Sequence, residues 1–157
     1  MATDESAPPQ RLEYHTAAPE ALRAMLALQE YVNQAALSTT IKELVKLRCS
    51  QINGCAYCVD LHARDARKLG ETNRRLDAVA VWRESNLFSA EERAALAWAE
   101  AVTLISHDHV PDDVFEWVGK YFSGRALVEL TMAIVAINGW NRLAVSFRTP
   151  TPKHEAQ

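Results

Sequence analysis

Glycine is scarce in this chain of 157 residues: there are five, about half the usual share. That scarcity argues against a turn-rich β protein. An excess of positive charge is also missing. Lysine plus arginine number 17 against 20 acidic residues, for a net charge of −3, and a mildly acidic chain makes nucleic acid a poor partner. Long apolar runs are absent too. The longest stretch without a charge is Leu130–Asn141, too short to span a bilayer, so no membrane partner is expected. Residues 1–10 are polar and carry proline, without the apolar stretch of a secretory signal, and the expected location is cytoplasmic. Cysteine is limited to three residues, at 49, 55 and 58. A secreted disulfide framework would use an even count spread along the chain. In a cytosolic protein so tight a cluster reads as redox-catalytic or metal-binding.

What is present is ordinary for a globular protein: 48% apolar and 24% charged residues. The length suits one domain with a core of its own, read as residues 11–148 between tails at 1–10 and 149–157. Pro8, Pro9, Pro150 and Pro152 lie in those tails, while Pro19 and Pro111 stand where helices can begin. Apolar spacing and cap residues predict helices over 19–36, 40–51, 55–69, 73–82, 90–106, 111–122 and 124–147. Ser89 with Glu92 matches a capping box, and Gly70 is a natural left-handed stop. From Leu130 to Trp140 the last helix is apolar or small on all sides, the pattern of a helix buried all round. It is expected to be a central core helix or one completed by a neighbouring subunit. No segment alternates with period two and no internal repeat is found, so the fold class is all-α.

The chemistry concentrates between Glu43 and His62. Cys55 and Cys58 form a CxxC directly after Asn53-Gly54, where a helix should start. Free amide hydrogens at a helix N-terminus favour an anion, so a thiolate there has a lowered pKa and greater reactivity. Three residues apart on a helix, the sulfurs are also placed to close into a disulfide. His62 follows Cys58 by one turn on the same face, in position to take or return the thiol proton. Glu43 reaches this pocket if the two helices form a hairpin, completing a nucleophile, base and orienting acid. On its own, Glu43 reads as a solvated helix residue and Tyr57 as packing or pocket wall. His107-Asp108-His109 reads as a polar turn rather than a metal pair, and His15 and His154 have no assigned role. Trp82, Trp98, Trp117 and Trp140 fall at helical spacings as core or interface residues.

The run Glu43-x3-Leu47-Arg48-x-Ser50-Gln51-Ile52-Asn53-Gly54-Cys55-x2-Cys58-x3-His62, continuing to Ala66, Gly70 and Glu71, closely resembles the core motif of the AhpD-like alkylhydroperoxidases. These belong to the carboxymuconolactone decarboxylase superfamily. Residues 95–100 and Ile137-Asn138-x-Trp140-Asn141-Arg142 are similar to that family as well, so the likeness covers about residues 11–148. The resemblance implies an all-helical AhpD-like fold and thiol-dependent reduction of hydroperoxides without a cofactor or bound metal. It also implies a homo-oligomer, a hexamer in preference to a trimer. It carries a catalytic glutamate onto Glu43, the redox pair onto Cys55 and Cys58, and a proton-relaying histidine onto His62. Where some members have a second histidine before the second cysteine, this chain has Tyr57. The decarboxylases proper generally lack the CxxC, which argues against lactone decarboxylation.

Cys58 is the expected attacker, because His62 sits one turn behind it, and Cys55 the resolving, more exposed thiol. A dithiol on a lipoyl domain or a thioredoxin-like protein is the expected reductant. Two alternatives stand beside this reading. Cys49, Cys55, Cys58 and His62 amount to a Cys3His zinc set, and a CxxC can also report oxidation without efficient turnover.

Overall fold

Ser38 starts the helix around which the rest is arranged. In the computed structural model, which describes residues 7–153, the Ser38 hydroxyl accepts the Ile41 N–H at 3.1 Å, satisfying one of the free donors of the first turn. The helix that follows, α3 (Thr39–Ile52), buries nine residues: Ile41 to Leu47, Cys49 and Ser50. It packs against α4 (Ala56–Lys68), α6 (Ala90–Thr103) and α9 (Arg125–Phe147). The remaining α-helices are α1 (Tyr14–Ala17), α2 (Pro19–Gln34), α5 (Asn73–Ala78), α7 (Ile105–Asp108) and α8 (Asp112–Gly119), with a 3₁₀ turn at Val79–Glu84. Among the described residues there is no strand, and the fold is all-α and single-domain. No helix among the described residues is long and apolar enough to cross a membrane.

α3 is therefore the helix at the centre of the single chain, and the last helix fits the other expectation for it, a face left for a neighbouring subunit, better than that of a central core helix. α9 is not covered on every side in the single chain: Val128, Val135 and Val145 are 58%, 44% and 44% exposed. Its other faces lie against α2, α3, α4 and α6, and Gly139 allows close approach there, since a Cβ would meet Met25 Cε at 2.9 Å. The mixed polarity of α3 hid its centrality. Lys42, Glu43, Lys46 and Ser50 are all buried, and each has a partner, as burial of polar groups requires. Lys42 Nζ, for example, donates to the carbonyls of Asn33 and Ala35 at 3.0 and 2.7 Å, closing the C-terminal end of α2.

Several boundaries differ from the periodic reading. The expected helix over 73–82 changes to a 3₁₀ turn after Ala78, with Val81 outside helical geometry. This tighter path brings Trp82 to 1% exposure. The helix after Ser89 carries the expected capping box but ends at Thr103, and a separate turn, α7, follows. His109 closes α7 in the left-handed conformation, so the histidine cluster at 107–109 is an exposed helix end. The start of the domain, ahead of α2, holds structure that the periodicity did not predict. Arg11 N–H donates to Phe147 O at 2.9 Å, and Tyr14–Ala17 adds a short unforeseen helix. His154 lies outside the described residues, as do the outer parts of both expected tails.

Candidate active site

The site is built on the turn between α3 and α4. Gly54 takes φ +66°, a conformation costly for any residue with a Cβ. Asn53 N–H donates to Cys49 O, Gly54 N–H to Gln51 O and Cys55 N–H to Ser50 O. The Asn53 side chain donates to Asn138 Oδ1 and to Asn141 Oδ1, both at 2.9 Å. Asn141 in turn donates to Ser50 Oγ at 3.0 Å. These bonds tie the turn to α9. Asn138 and Asn141 had no role in the sequence reading, although two asparagines three residues apart in an otherwise apolar helix are a signal of such a network.

Cys55 caps α4, its Sγ accepting the Cys58 N–H at 3.2 Å. The two sulfurs are joined in a disulfide, with Cα atoms 5.3 Å apart. Cys55 is not the more exposed of the pair: the residues are 2% and 3% exposed. Both enter the same apolar cluster as Val45, Ile134 and Ile137, because the Asn53-Gly54 turn folds Cys55 inward beneath α9.

Glu43 and His62 meet across the α3–α4 hairpin. His62 Nδ1 lies 2.9 Å from Glu43 Oε2, and Lys46 Nζ donates to Glu43 Oε1 at 2.8 Å. Burial by itself pushes the Glu43 carboxyl up, but the His62 hydrogen bond and the Lys46 ammonium outweigh it and hold the group below the ordinary carboxylate range. A carboxylate offers only acceptors, so in the neutral imidazole Nδ1 carries the hydrogen and Nε2 is the acceptor. The sequence reading gives Lys46 no role, though its i,i+3 spacing from Glu43 is the ordinary signature of a helical ion pair.

Cys58, Glu43, Lys46 and His62 line one cavity of about 480 Å³. Its apolar walls come from Leu22 and Leu26 of α2, Leu61 of α4 and Trp140 of α9, and Tyr14 and Tyr57 line it as well. Trp140 Nε1 donates to Gln29 Oε1 at 3.1 Å, fixing that wall. Three of the four sequence-predicted residues thus share a cavity, and the fourth, Cys55, is bonded to one of them.

Cys49 stands apart. Its Sγ accepts the Thr103 hydroxyl at 3.2 Å, and burial pushes its thiol up to about 12. A Cys3His shell would need that sulfur turned away from Thr103 and ionised. Glu43, His62 and Asp65 bring potential ligand atoms within 4.8 Å of one another, but both oxygens of Glu43 are already engaged, one by His62 and the other by Lys46.

Residues 19–101 match the carboxymuconolactone decarboxylase family. The chain belongs to that family. Within it, the uncharacterized protein YdfG of Bacillus subtilis (strain 168) is 40% identical over 137 residues, which is 87% of this chain and 93% of YdfG. A protein of unknown function from Agrobacterium tumefaciens, described as a candidate antioxidant defence protein AhpD, superposes with a TM-score of 0.91. It is 44% identical over 93% of this chain and 100% of its own. The debrominase Bmp8 shares the fold at a TM-score of 0.79 and 22% identity, over 88% of this chain and 74% of that one. This carboxymuconolactone decarboxylase family member is therefore AhpD-like, and its paired cysteines fit a peroxidase-related function. The likeness to Bmp8 is one of fold alone.

Proposed function

We propose that the protein is a thiol-dependent peroxidase that reduces alkyl hydroperoxides through Cys55 and Cys58. The observation that carries this reading is the Glu43–His62 pair, 2.9 Å apart, opening with Cys58 onto one cavity. In the dithiol state His62 Nε2 takes the Cys58 proton. The thiolate attacks the distal peroxide oxygen, the O–O bond breaks, and the leaving alkoxide takes the proton back from His62 as an alcohol. Cys58 is then a sulfenic acid, oxidised by two electrons. The Cys55 thiol condenses with it, forming the disulfide and releasing water. An external dithiol, on a lipoyl domain or a thioredoxin-like protein, returns two electrons and two protons by thiol–disulfide exchange.

The assembly that fits this reading is a homo-oligomer, a hexamer in preference to a trimer. Exposed Val128, Val135 and Val145 on α9 supply apolar surface for a neighbour, and light scattering at micromolar concentration tests it against a monomer.

The deciding experiment is steady-state consumption of an organic hydroperoxide with a lipoyl dithiol, followed by peptide mapping. The expected outcome is turnover, a Cys55–Cys58 bond in the oxidised protein and a free Cys49. A reduced protein that consumes no hydroperoxide, or one whose oxidation engages Cys49, overturns the proposal. Reductive debromination of a bromopyrrole by the same reduced protein, with no peroxide turnover, would direct the cysteines to the other chemistry found on this fold.

A further inference from the structure

We propose that Lys46 is the positioning residue of the Glu43–His62 relay: its ammonium keeps the Glu43 carboxylate charged and aimed, so that His62 presents Nε2 as its proton acceptor. The placement is specific. Lys46 is 8% exposed, lines the same cavity as Cys58 and His62, and makes its ion pair with Glu43 at 2.8 Å. A lysine on a helix ordinarily extends its flexible stem into water, and withdrawing its charge is costly unless a partner compensates. Here the partner is the one carboxylate that holds the histidine.

The chemical consequence follows from what each group can donate. A charged Glu43 only accepts, which forces the hydrogen onto Nδ1. A neutral Glu43 would be a donor. It would offer its proton to Nδ1, moving the imidazole hydrogen to Nε2, where it blocks proton uptake from a thiol. Burial favours that neutral form, and Lys46 opposes it with both its charge and its hydrogen bond.

The other groups nearby do not duplicate this role. Lys42, on the same helix, is committed to the carbonyls of Asn33 and Ala35. From α4, Tyr57, Cys58, His62 and Asp65 face the cavity, and Asp65 lies near Lys68 at 3.7 Å. From the N-terminal segment come Tyr14 and His15, and His15 is paired with Glu13 at 3.0 Å. Glu71 lies on the far side of Glu43 and is held by Arg75 at 2.9 Å. The cavity residues of α2 and α9 are not titratable. Lys46 is the only cation bonded to Glu43 among the described residues, His62 apart.

The rate arm of the test rests on the peroxidase reading, whereas the spectroscopic arm does not. In the first arm, stopped-flow oxidation of the reduced thiols by an organic hydroperoxide is followed from pH 5.5 to 9.5 for wild type, Lys46→Met, Lys46→Gln and Lys46→Arg. Lys46→Met should be slower by about tenfold or more at pH 6, within the range of a positioned base, with the gap closing as pH rises. Lys46→Gln, which keeps a donor but no charge, should behave like Lys46→Met and guards against a folding failure of the apolar variant. Lys46→Arg should restore the wild-type profile. In the second arm, ¹⁵N spectra of the His62 imidazole should show the Nδ1–H tautomer in wild type and a shift toward Nε2–H at low pH in Lys46→Gln. Two outcomes overturn the proposal: an unchanged tautomer in that variant, or a loss of rate that is the same at every pH. If wild type consumes no peroxide, the peroxidase reading fails and the tautomer alone decides the role of Lys46.

Discussion

Two carboxylates meet at α3, the buried Glu43 within it and the partly buried Glu100 of α6 against it, and they are held in opposite ways. Glu43 is bound by the Lys46 ammonium and by the His62 imidazole, and imidazole is the ring type that can exchange a proton near neutrality; Glu43 also borders an open cavity. Glu100 of α6 is bound by Arg48 at 2.8 Å, Arg83 at 2.8 Å and the Trp82 indole at 2.8 Å. None of those three releases a proton near neutrality. Burial pushes both carboxyls up, and in both the hydrogen-bonded partners reverse it: His62 and Lys46 for Glu43, and Trp82, Arg83 and Arg48 for Glu100. The partners, rather than the burial, distinguish the carboxylate proposed for a proton relay from one that staples α3, α6 and the 3₁₀ turn together.

The largest test of that contrast is kinetic. Glu43→Gln and His62→Ala should each slow peroxide reduction by about 10²–10⁴-fold, and the double variant should be little worse than the worse single, since members of one unit fail together. Stopped-flow rates for the three proteins check this, and a wild-type rate for Glu43→Gln removes the glutamate from the relay. The converse applies to Glu100→Ala. Leaving the Trp82 and Arg48 donors unpaired should cost about 3 kcal/mol, the lower end for breaking a buried pair because Arg83 is half exposed. Denaturant melts read that loss, while the peroxide rate of the folded fraction should change little.

A smaller effect comes from pH. A carboxyl whose folded pKa is depressed contributes stability that is complete above the ordinary carboxylate range and is lost as pH falls through the folded value. Both Glu43 and Glu100 are of this kind. Thermal melts between pH 2 and 7 should therefore show an acid loss that is shallower in Glu100→Ala than in wild type. The smallest effect concerns Cys49. With its thiol pushed up to about 12 by burial, it should resist alkylation at pH 8 in the reduced native protein and label only on unfolding, as mass spectrometry after short iodoacetamide exposure would read.

Cys58 and His62 were legible together from their spacing, whereas Glu43, 19 residues before His62, was singled out by the family resemblance. Cys58 and His62 are one helical turn apart, and a hairpin after Asn53-Gly54 brings Glu43 across to them. The helices themselves were legible from caps such as Ser38 and Ser89 and from the stop at Gly70. The identity of the central helix was not. Leu130–Trp140 is apolar enough to suggest burial all round, but α9 keeps an exposed face, whereas α3 is buried through Lys42, Glu43, Lys46 and Ser50 because each finds a partner on another segment or an adjacent turn. Periodicity counts apolar side chains and is blind to polar ones whose bonds are completed far along the chain. Asn138 and Asn141 illustrate the same blindness, since their meaning depends on Asn53, 85 and 88 residues away. The left-handed closures at His109 and Arg148 escaped because neither uses glycine.

The bond from the Cys58 amide to the Cys55 sulfur has a spectroscopic consequence. In the disulfide that amide proton points at a neutral, weakly accepting atom. After reduction it points at a thiol or a full negative charge, and its resonance must move with the charge state of Cys55. The backbone at position 58 is thus an indicator dye written into the chain. A pH titration of one amide peak in the reduced protein would report the ionisation of Cys55 separately from that of Cys58, without a label or an alkylating reagent.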